Sequence, residues 1–222
     1  MVPYRNGAAM SNTLVYYDVD ELLNVIEEPQ RTQLRKLLDD NNWRIVHAPG
    51  STHNHQAWQG GYSDHVLEIC NIALQLYQFI VLTGRMNLLP ASEQFSLSDA
   101  LLVLFLHDIE KPWRVELNDD GSIALDDDGK FVIKPDMLSK ANRELFKKRL
   151  INEYEIELSE AHWHALKFVE GIRDKDYSPG ARTMSPLAVF CHTCDLWSAR
   201  VFYDFPLTEG DTWSPIGRTQ SS

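Results

Sequence analysis

Residues 96–112 read Ser-Leu-Ser-Asp-Ala-Leu-Leu-Val-Leu-Phe-Leu-His-Asp-Ile-Glu-Lys-Pro, and the periodicity of this stretch decides the fold class. Ser96 or Ser98 supplies a side-chain oxygen for the free amides of a first helical turn, and Pro112, which has no amide hydrogen to give, ends the pattern. Between them Ala100, Val103, Leu104 and His107 recur at spacings of three and four, the signature of one buried helical face. The helix therefore points an imidazole inward and places the carboxylate of Asp108 directly after it. Buried groups of this kind are costly unless they are paired or bound to a cation.

The same construction recurs on both sides. Upstream, Ser63 is the expected cap of a long helix whose His65, Ile69, Ile72, Ala73 and Leu76 share a face. Downstream, helical patterns cover Met137–Leu150, Ser159–Ile172 and Pro186–Phe202, the last carrying Asp195. From Asp20 to Asp40 the leucines recur at helical spacing with a break near Pro29, which predicts two short helices. Residues 41–61 read as a loop punctuated by Pro49, Gly50, Gly60 and Gly61, and that loop holds His47, His53 and His55. Two β-prone runs between Val115 and Lys134 flank Asp120-Gly121, with a second turn signal at Asp128-Gly129, so a β-hairpin or three-stranded insert is expected there. Asp126-Asp127-Asp128-Gly129 lacks the closing glutamate of a calcium loop and is read as turn chemistry. The expected architecture is an all-α bundle over 20–205 with a β insert at about 115–134, a flexible arm over 1–19 and a Pro/Gly/Ser-rich tail over 206–222.

Composition narrows the function. The chain has 222 residues, 44% of them hydrophobic, and a formal net charge of −11. That is enough material for a real core, and the summed negative charge repels long polyanions. The longest apolar run, Ala100–Leu106, is far below the roughly 20 residues of a membrane span, so no membrane association is expected. Three cysteines and no cleavable signal pattern over Met1–Asn12 suit a reducing interior, with the cytoplasm as the expected location. Cys191 and Cys194 form a lone Cys-x-x-Cys, and with only Cys70 besides them a four-thiolate zinc site is impossible.

His65, His107, Asp108 and Asp195 are the chemically telling set. One inward histidine is ordinarily a hydrogen-bonded core residue. Four such groups on helices that otherwise bury apolar side chains are better explained by a divalent cation, which suits mixed imidazole and carboxylate ligands and offsets the charge of buried aspartates.

In their order along the chain these residues resemble the HD-domain metal-dependent phosphohydrolases, a helical family defined by an H...HD...D signature. Gly60-Gly61-Tyr62-Ser63-Asp64-His65 is similar to the family's Gly-Gly-Leu-x-Glu-His. Leu104-Phe105-Leu106-His107-Asp108-Ile109-Glu110-Lys111 resembles its Leu-Leu-His-Asp-Ile-Gly-Lys block. The stretch from Ala188 to Arg200, with His192, Asp195, Leu196, Ala199 and Arg200, resembles Leu-His-x-x-Asp-x-Leu-x-Ala-Arg. The resemblance spans about Ser51–Arg200. It implies that His65, His107, Asp108 and Asp195 ligate one tightly held metal ion (Mn, Fe, Co, Ni or Mg, with zinc as a further option). It further implies that Asp108 and Lys111 serve catalysis, with Lys111 on the substrate phosphate. Val169 stands where binuclear members place a histidine, so a single ion is expected.

Other assignments rest on position. Glu110 replaces the usual glycine and reads either as a carboxylate orienting the attacking water or as a solvated helix end. His162 lies seven residues before Val169 on the same helical face and is a better substrate-binding candidate than His164. His192, one turn before Asp195, is expected to support that carboxylate or contact substrate phosphate, and His55 to reach the pocket from its loop. The expected activity is metal-assisted hydrolysis of a phosphate ester or anhydride of a small nucleotide. Two alternatives stand beside it. One is an HD phosphodiesterase acting on RNA ends or cyclic nucleotides, with short nucleic acid as partner; a basic strip near His65 would favour it. The other is an inactive module that binds a nucleotide or a protein.

Overall fold

A computed structural model of the chain describes residues 15–51, 55–173 and 176–201. Most of the arm, the tail from 206 onward and His53 lie outside the described residues. Among the described residues eight α-helices follow in chain order: α1 (Val19–Leu23), α2 (Gln30–Asp40), α3 (Asn42–His47), α4 (Gly61–Leu82), α5 (Leu97–Leu106), α6 (Lys140–Glu153), α7 (Glu160–Phe168) and α8 (Pro186–Val201). The all-α expectation holds for the described residues.

The bundle is organised around α4, α5 and α8, which pack on one another, with α7 against α5 and α8. All of α5 from Ala100 to Leu106 is buried, as are Ile69, Cys70 and Ala73 of α4 and Leu187, Ala188, Cys191 and Cys194 of α8. The three cysteines are free, and burial pushes the Cys191 and Cys194 thiols up, so both stay protonated core residues. By length and composition alone α4 is apolar enough to cross a membrane. It also buries Asp64, His65, Glu68 and Asn71, so part of its inward face is polar.

Caps set several helix ends. Ser96 caps α5, its hydroxyl accepting from the Asp99 amide at 3.1 Å while Asp99 Oδ2 accepts from the Ser96 amide at 2.7 Å, a closed capping box. Ser159 and Asp18 cap α7 and α1 in the same way. The start of α4 differs from the expectation. The helix begins at Gly61 rather than after Ser63, because Gly60, at φ 86, turns the chain in the left-handed region, and the Ser63 hydroxyl instead donates to the Ile45 carbonyl at 2.9 Å.

Three further differences are instructive. The expected loop over 41–61 contains α3, and residues 15–18 of the expected arm are tied down. Tyr17 donates its amide to Asn71 Oδ1 at 2.7 Å, and Asn71 Nδ2 donates back to the Tyr17 carbonyl at 3.0 Å. The β insert forms no strand among the described residues. Three isolated antiparallel bridges, Val115 with Ile133, Leu117 with Ile123 and Leu125 with Phe131, join each of three segments to both others. The Glu116 amide donates to Val132, Val132 to Ala124, and Ala124 to Glu116. This three-way ring leaves no pair of segments a continuous ladder. Asp126 Oδ1 accepts from the amides of Asp128 and Lys130 at 3.0 and 2.8 Å, the turn chemistry expected there.

Candidate metal centre

The packing of α4, α5 and α8 brings three inward side chains to one point. His65 lies in the second turn of α4, His107 is the C-cap residue of α5, and Asp195 sits in the second half of α8. One ligand atom from each lies within 4.8 Å of the others, so this buried group can hold a metal ion. His65 Nε2 stands 3.3 Å from His107 Nε2 and 3.1 Å from Asp195 Oδ1. Asp108 flanks the triad, its Oδ2 at 3.0 Å from His107 Nε2 and 3.8 Å from His65 Nε2. The same Oδ2 is 2.6 Å from Lys111 Nζ.

Both imidazoles are steered from behind. His107 Nδ1 lies 2.7 Å from the Leu104 carbonyl and can only donate to it, which turns Nε2 toward the centre. His65 Nδ1 lies 3.1 Å from the hydroxyl of Ser198, a fully buried residue one turn after Asp195 on α8. Gln56 Nε2 in turn stands 3.4 Å from the Ser198 hydroxyl and carbonyl. Such partners fix tautomer and ring orientation at metal-binding histidines. Neither Ser198 nor Gln56 stood out in the sequence. The available signal for Ser198 was a small hydroxyl residue one turn from Asp195 on an otherwise apolar face.

Gln56 belongs to a loop that closes on the start of α4. The Gly50 amide donates to the Gln56 carbonyl at 3.0 Å, Gly60 to His47 at 3.2 Å and Tyr62 to Ala48 at 3.0 Å. A Cβ on Gly61 would lie 2.0 Å from the Gln56 carbonyl oxygen, so glycine is required for this close approach. Trp58 Nε1 donates to Asp64 Oδ2 at 2.7 Å and pins the loop to α4. The result lays the His55 ring over His65, centroids 5.3 Å apart.

Electrostatics at the centre call for a positive charge. Burial draws the His107 imidazolium down, but Asp108 and Asp195 overcome it and push its pKa up to about 10. Burial keeps His65 below the usual histidine value against the pull of Asp195. Burial also opposes ionisation of both aspartates, yet the two histidines beside Asp195, and His107 with Lys111 beside Asp108, hold them well below the ordinary carboxylate range. Without a metal, then, a proton on His107 and the ammonium of Lys111 together offset two ionised carboxylates. A divalent cation with mixed nitrogen and oxygen ligands would supply that charge on displacing the proton, so the residues fit such an ion. Burial, with Lys111 and His65 adding, lowers His55 to about 4, so it is neutral at pH 7.

The remaining candidates are distributed more widely. Lys111 meets Asp108 directly, and with 12% and 16% side-chain exposure Lys111 and Asp195 mark the side on which the centre opens. His192 donates through Nδ1 to the carbonyl of Val169, the residue that follows α7, at 2.7 Å. Its ring also packs on Gly171. His162 is elsewhere. Its Nε2 pairs with Asp99 Oδ1 at 2.9 Å in the first turn of α5, eight residues before His107 and so roughly 12 Å along the helix axis. The periodicity that put it on the Val169 face was sound, but that face meets the far end of α5. Glu110 is not solvated: it is buried, with Oε2 3.4 Å from Lys147 Nζ.

Comparison with family models, curated proteins and solved structures returns no match to this chain.

Proposed function

We propose that the protein is a metal-dependent phosphohydrolase acting on a small nucleotide. The observation that carries this reading is the convergence of His65, His107 and Asp195, with Asp108 alongside, from separate helices onto one buried point. A histidine, a His-Asp pair and an aspartate meet in that order along the chain, as the resemblance to HD phosphohydrolases implies. A divalent ion, of which manganese or another first-row metal suits the mixed donors best, supplies Lewis acidity and lowers the pKa of water when bound.

The chain's own groups divide the rest. Lys111 lies on the open side of the centre and neutralises a non-bridging phosphoryl oxygen as charge develops there. Asp108, held ionised between His107 and Lys111, keeps the ammonium pointed at the reacting phosphate. His55, neutral at pH 7 and lying over His65, adds a hydrogen bond without adding charge. Ser198 and the Leu104 carbonyl hold the two imidazoles in the ligating orientation.

The test is elemental analysis of the purified protein, followed by metal reconstitution and product identification against nucleoside mono- and triphosphates, cyclic nucleotides and short oligonucleotides. One tightly held ion and release of phosphate from a mononucleotide are expected. Absence of metal uptake, or uptake without turnover of any of these, would leave a binding module instead.

A further inference from the structure

Between α6 and α7 lies a cavity of about 560 Å³ that shares no lining residue with the metal centre. Lys140, Lys147, Lys148, Lys167 and Arg173 line it, against the two carboxylates Glu144 and Asp176, with Trp163 and Leu166 as its apolar wall. In a chain of net charge −11 this is a concentrated reversal of sign. The volume lies within the ordinary range for a small-molecule site.

The ion pairs show how much of that charge is already answered. Lys167 pairs with Asp176 at 3.0 Å, and the buried Lys147 faces Glu110 at 3.4 Å and Glu144 at 3.9 Å and donates to the His107 carbonyl. Lys140 and Arg173, by contrast, share one oxygen, Glu170 Oε2, with Arg173 at 3.6 Å. Lys148 is exposed and has no carboxylate at ion-pair distance among the described residues; its ammonium stands 5.9 Å from the centre of the Trp163 ring. Lys148 is thus left without a carboxylate, and Lys140 and Arg173 have one between them, beside a half-buried indole; set against Glu110, Glu144, Glu170 and Asp176, the five cations keep a net positive charge.

That combination points to one ligand class. We infer that this cavity binds a nucleoside monophosphate, with the phosphate dianion between Lys148, Arg173 and Lys140 and the base against Trp163. Phosphate matches one cation with no carboxylate beside two that share one, and stacking of a base on an indole is stronger than the exposed cation–π contact it replaces. The site is separate from the hydrolytic reading and does not depend on a metal. Lys147, which reaches the His107 carbonyl from the cavity wall, connects the two places through a single side chain.

The experiment is calorimetric titration of the full chain, stripped of metal by chelator, with AMP, ribose 5-phosphate and adenosine. AMP is expected to bind more tightly than either fragment. The double variant Lys148→Ala/Arg173→Ala, altered only at exposed positions, should weaken AMP at least tenfold, and Trp163→Phe should retain most of the affinity because a flat ring remains. Lys111→Ala, which removes the cation of the metal centre, should leave the titration unchanged. Adenosine binding as well as AMP, a double variant equal to wild type, or loss of binding in Lys111→Ala would each overturn the assignment. None of these readouts uses turnover, so a chain that hydrolyses nothing still decides the matter.

Discussion

Ser198→Ala isolates the positioning of a metal ligand from the ligand itself. Ser198 is completely buried, and its hydroxyl stands 3.1 Å from His65 Nδ1. To ligate through Nε2, His65 must carry its proton on Nδ1, where the hydroxyl accepts it. Alanine removes that acceptor and leaves a hole too small for water. The metal-free protein has an escape: the proton moves to Nε2 and is donated to Asp195 Oδ1, 3.1 Å away. The metal-bound protein has none, and must carry a buried unpaired N–H at about 1–3 kcal/mol. Because only one state bears the cost, nearly all of it appears in metal affinity, as a Kd weakened about 10–100-fold at roughly 1.4 kcal/mol per tenfold. Competition against a chromophoric chelator measures it, with far-UV circular dichroism to verify the helices. A Ser198→Ala affinity within about twofold of wild type would show that His65 is oriented by something else, or is not a ligand.

Other positions give independent checks. Gly61→Ala places a Cβ 2.0 Å from a backbone oxygen; the loop must retreat, and urea unfolding should show a loss at the upper end of the roughly 1–3 kcal/mol typical of overpacking. Asp99→Asn tests the pair that sequestered His162. Burial pushes the Asp99 carboxyl up, but hydrogen bonds from His162 and Ser96 overcome it and hold the pKa at about 2. A depressed carboxyl contributes stability above its unfolded value near 3.9 that is lost as pH falls through about 2, so the variant should show a shallower acid leg in its stability profile. Lys111→Ala removes one charge-assisted contact to phosphate, worth about 1.5–3 kcal/mol, and should lower kcat/KM by about 10–100-fold with metal content unchanged in elemental analysis.

What the sequence revealed, and what it hid, follows from what periodicity measures. Spacings of three and four put His65, His107 and Asp195 on apolar faces, and since one core must accept those faces, their convergence was legible. The same spacing gave the angle of His162 about α7 but not its height along α5, and height took it to Asp99. The six residues of α3 are too few to show a stripe, so that helix read as loop. Gly61 looked like turn punctuation, whereas its reason is the carbonyl of Gln56, a contact that exists only once the loop has folded onto α4. The β insert offered apolar runs and two turn signals, but nothing local distinguishes a ladder from segments that each bridge two others.

Glu110 is buried where a solvated helix end was one of its two readings, and it carries the last prediction. Following His107-Asp108 directly, it looked tethered to the reacting phosphate. The chain instead bends into a turn that continues as a 3-10 helix over Lys111–Trp113, sending Lys111 to Asp108 and Glu110 inward. There burial raises its pKa, with the Lys147 ammonium 3.4 Å away opposing the rise. Lys147 also donates to the His107 carbonyl, so the pair braces the turn that presents His107 and Asp108. Removing one member of a buried pair costs about 3–5 kcal/mol, and Glu110→Gln belongs at the low end because Lys147 keeps the His107 carbonyl and Glu144 at 3.9 Å. At about 2–4 °C per kcal/mol for a chain of this size, the midpoint of thermal unfolding should fall by about 6–12 °C. Turnover measured well below that midpoint should stay within a few-fold of wild type. A catalytic carboxylate would give the opposite pattern, an unchanged midpoint with kcat reduced by orders of magnitude, and that result would place Glu110 at the reacting atoms after all.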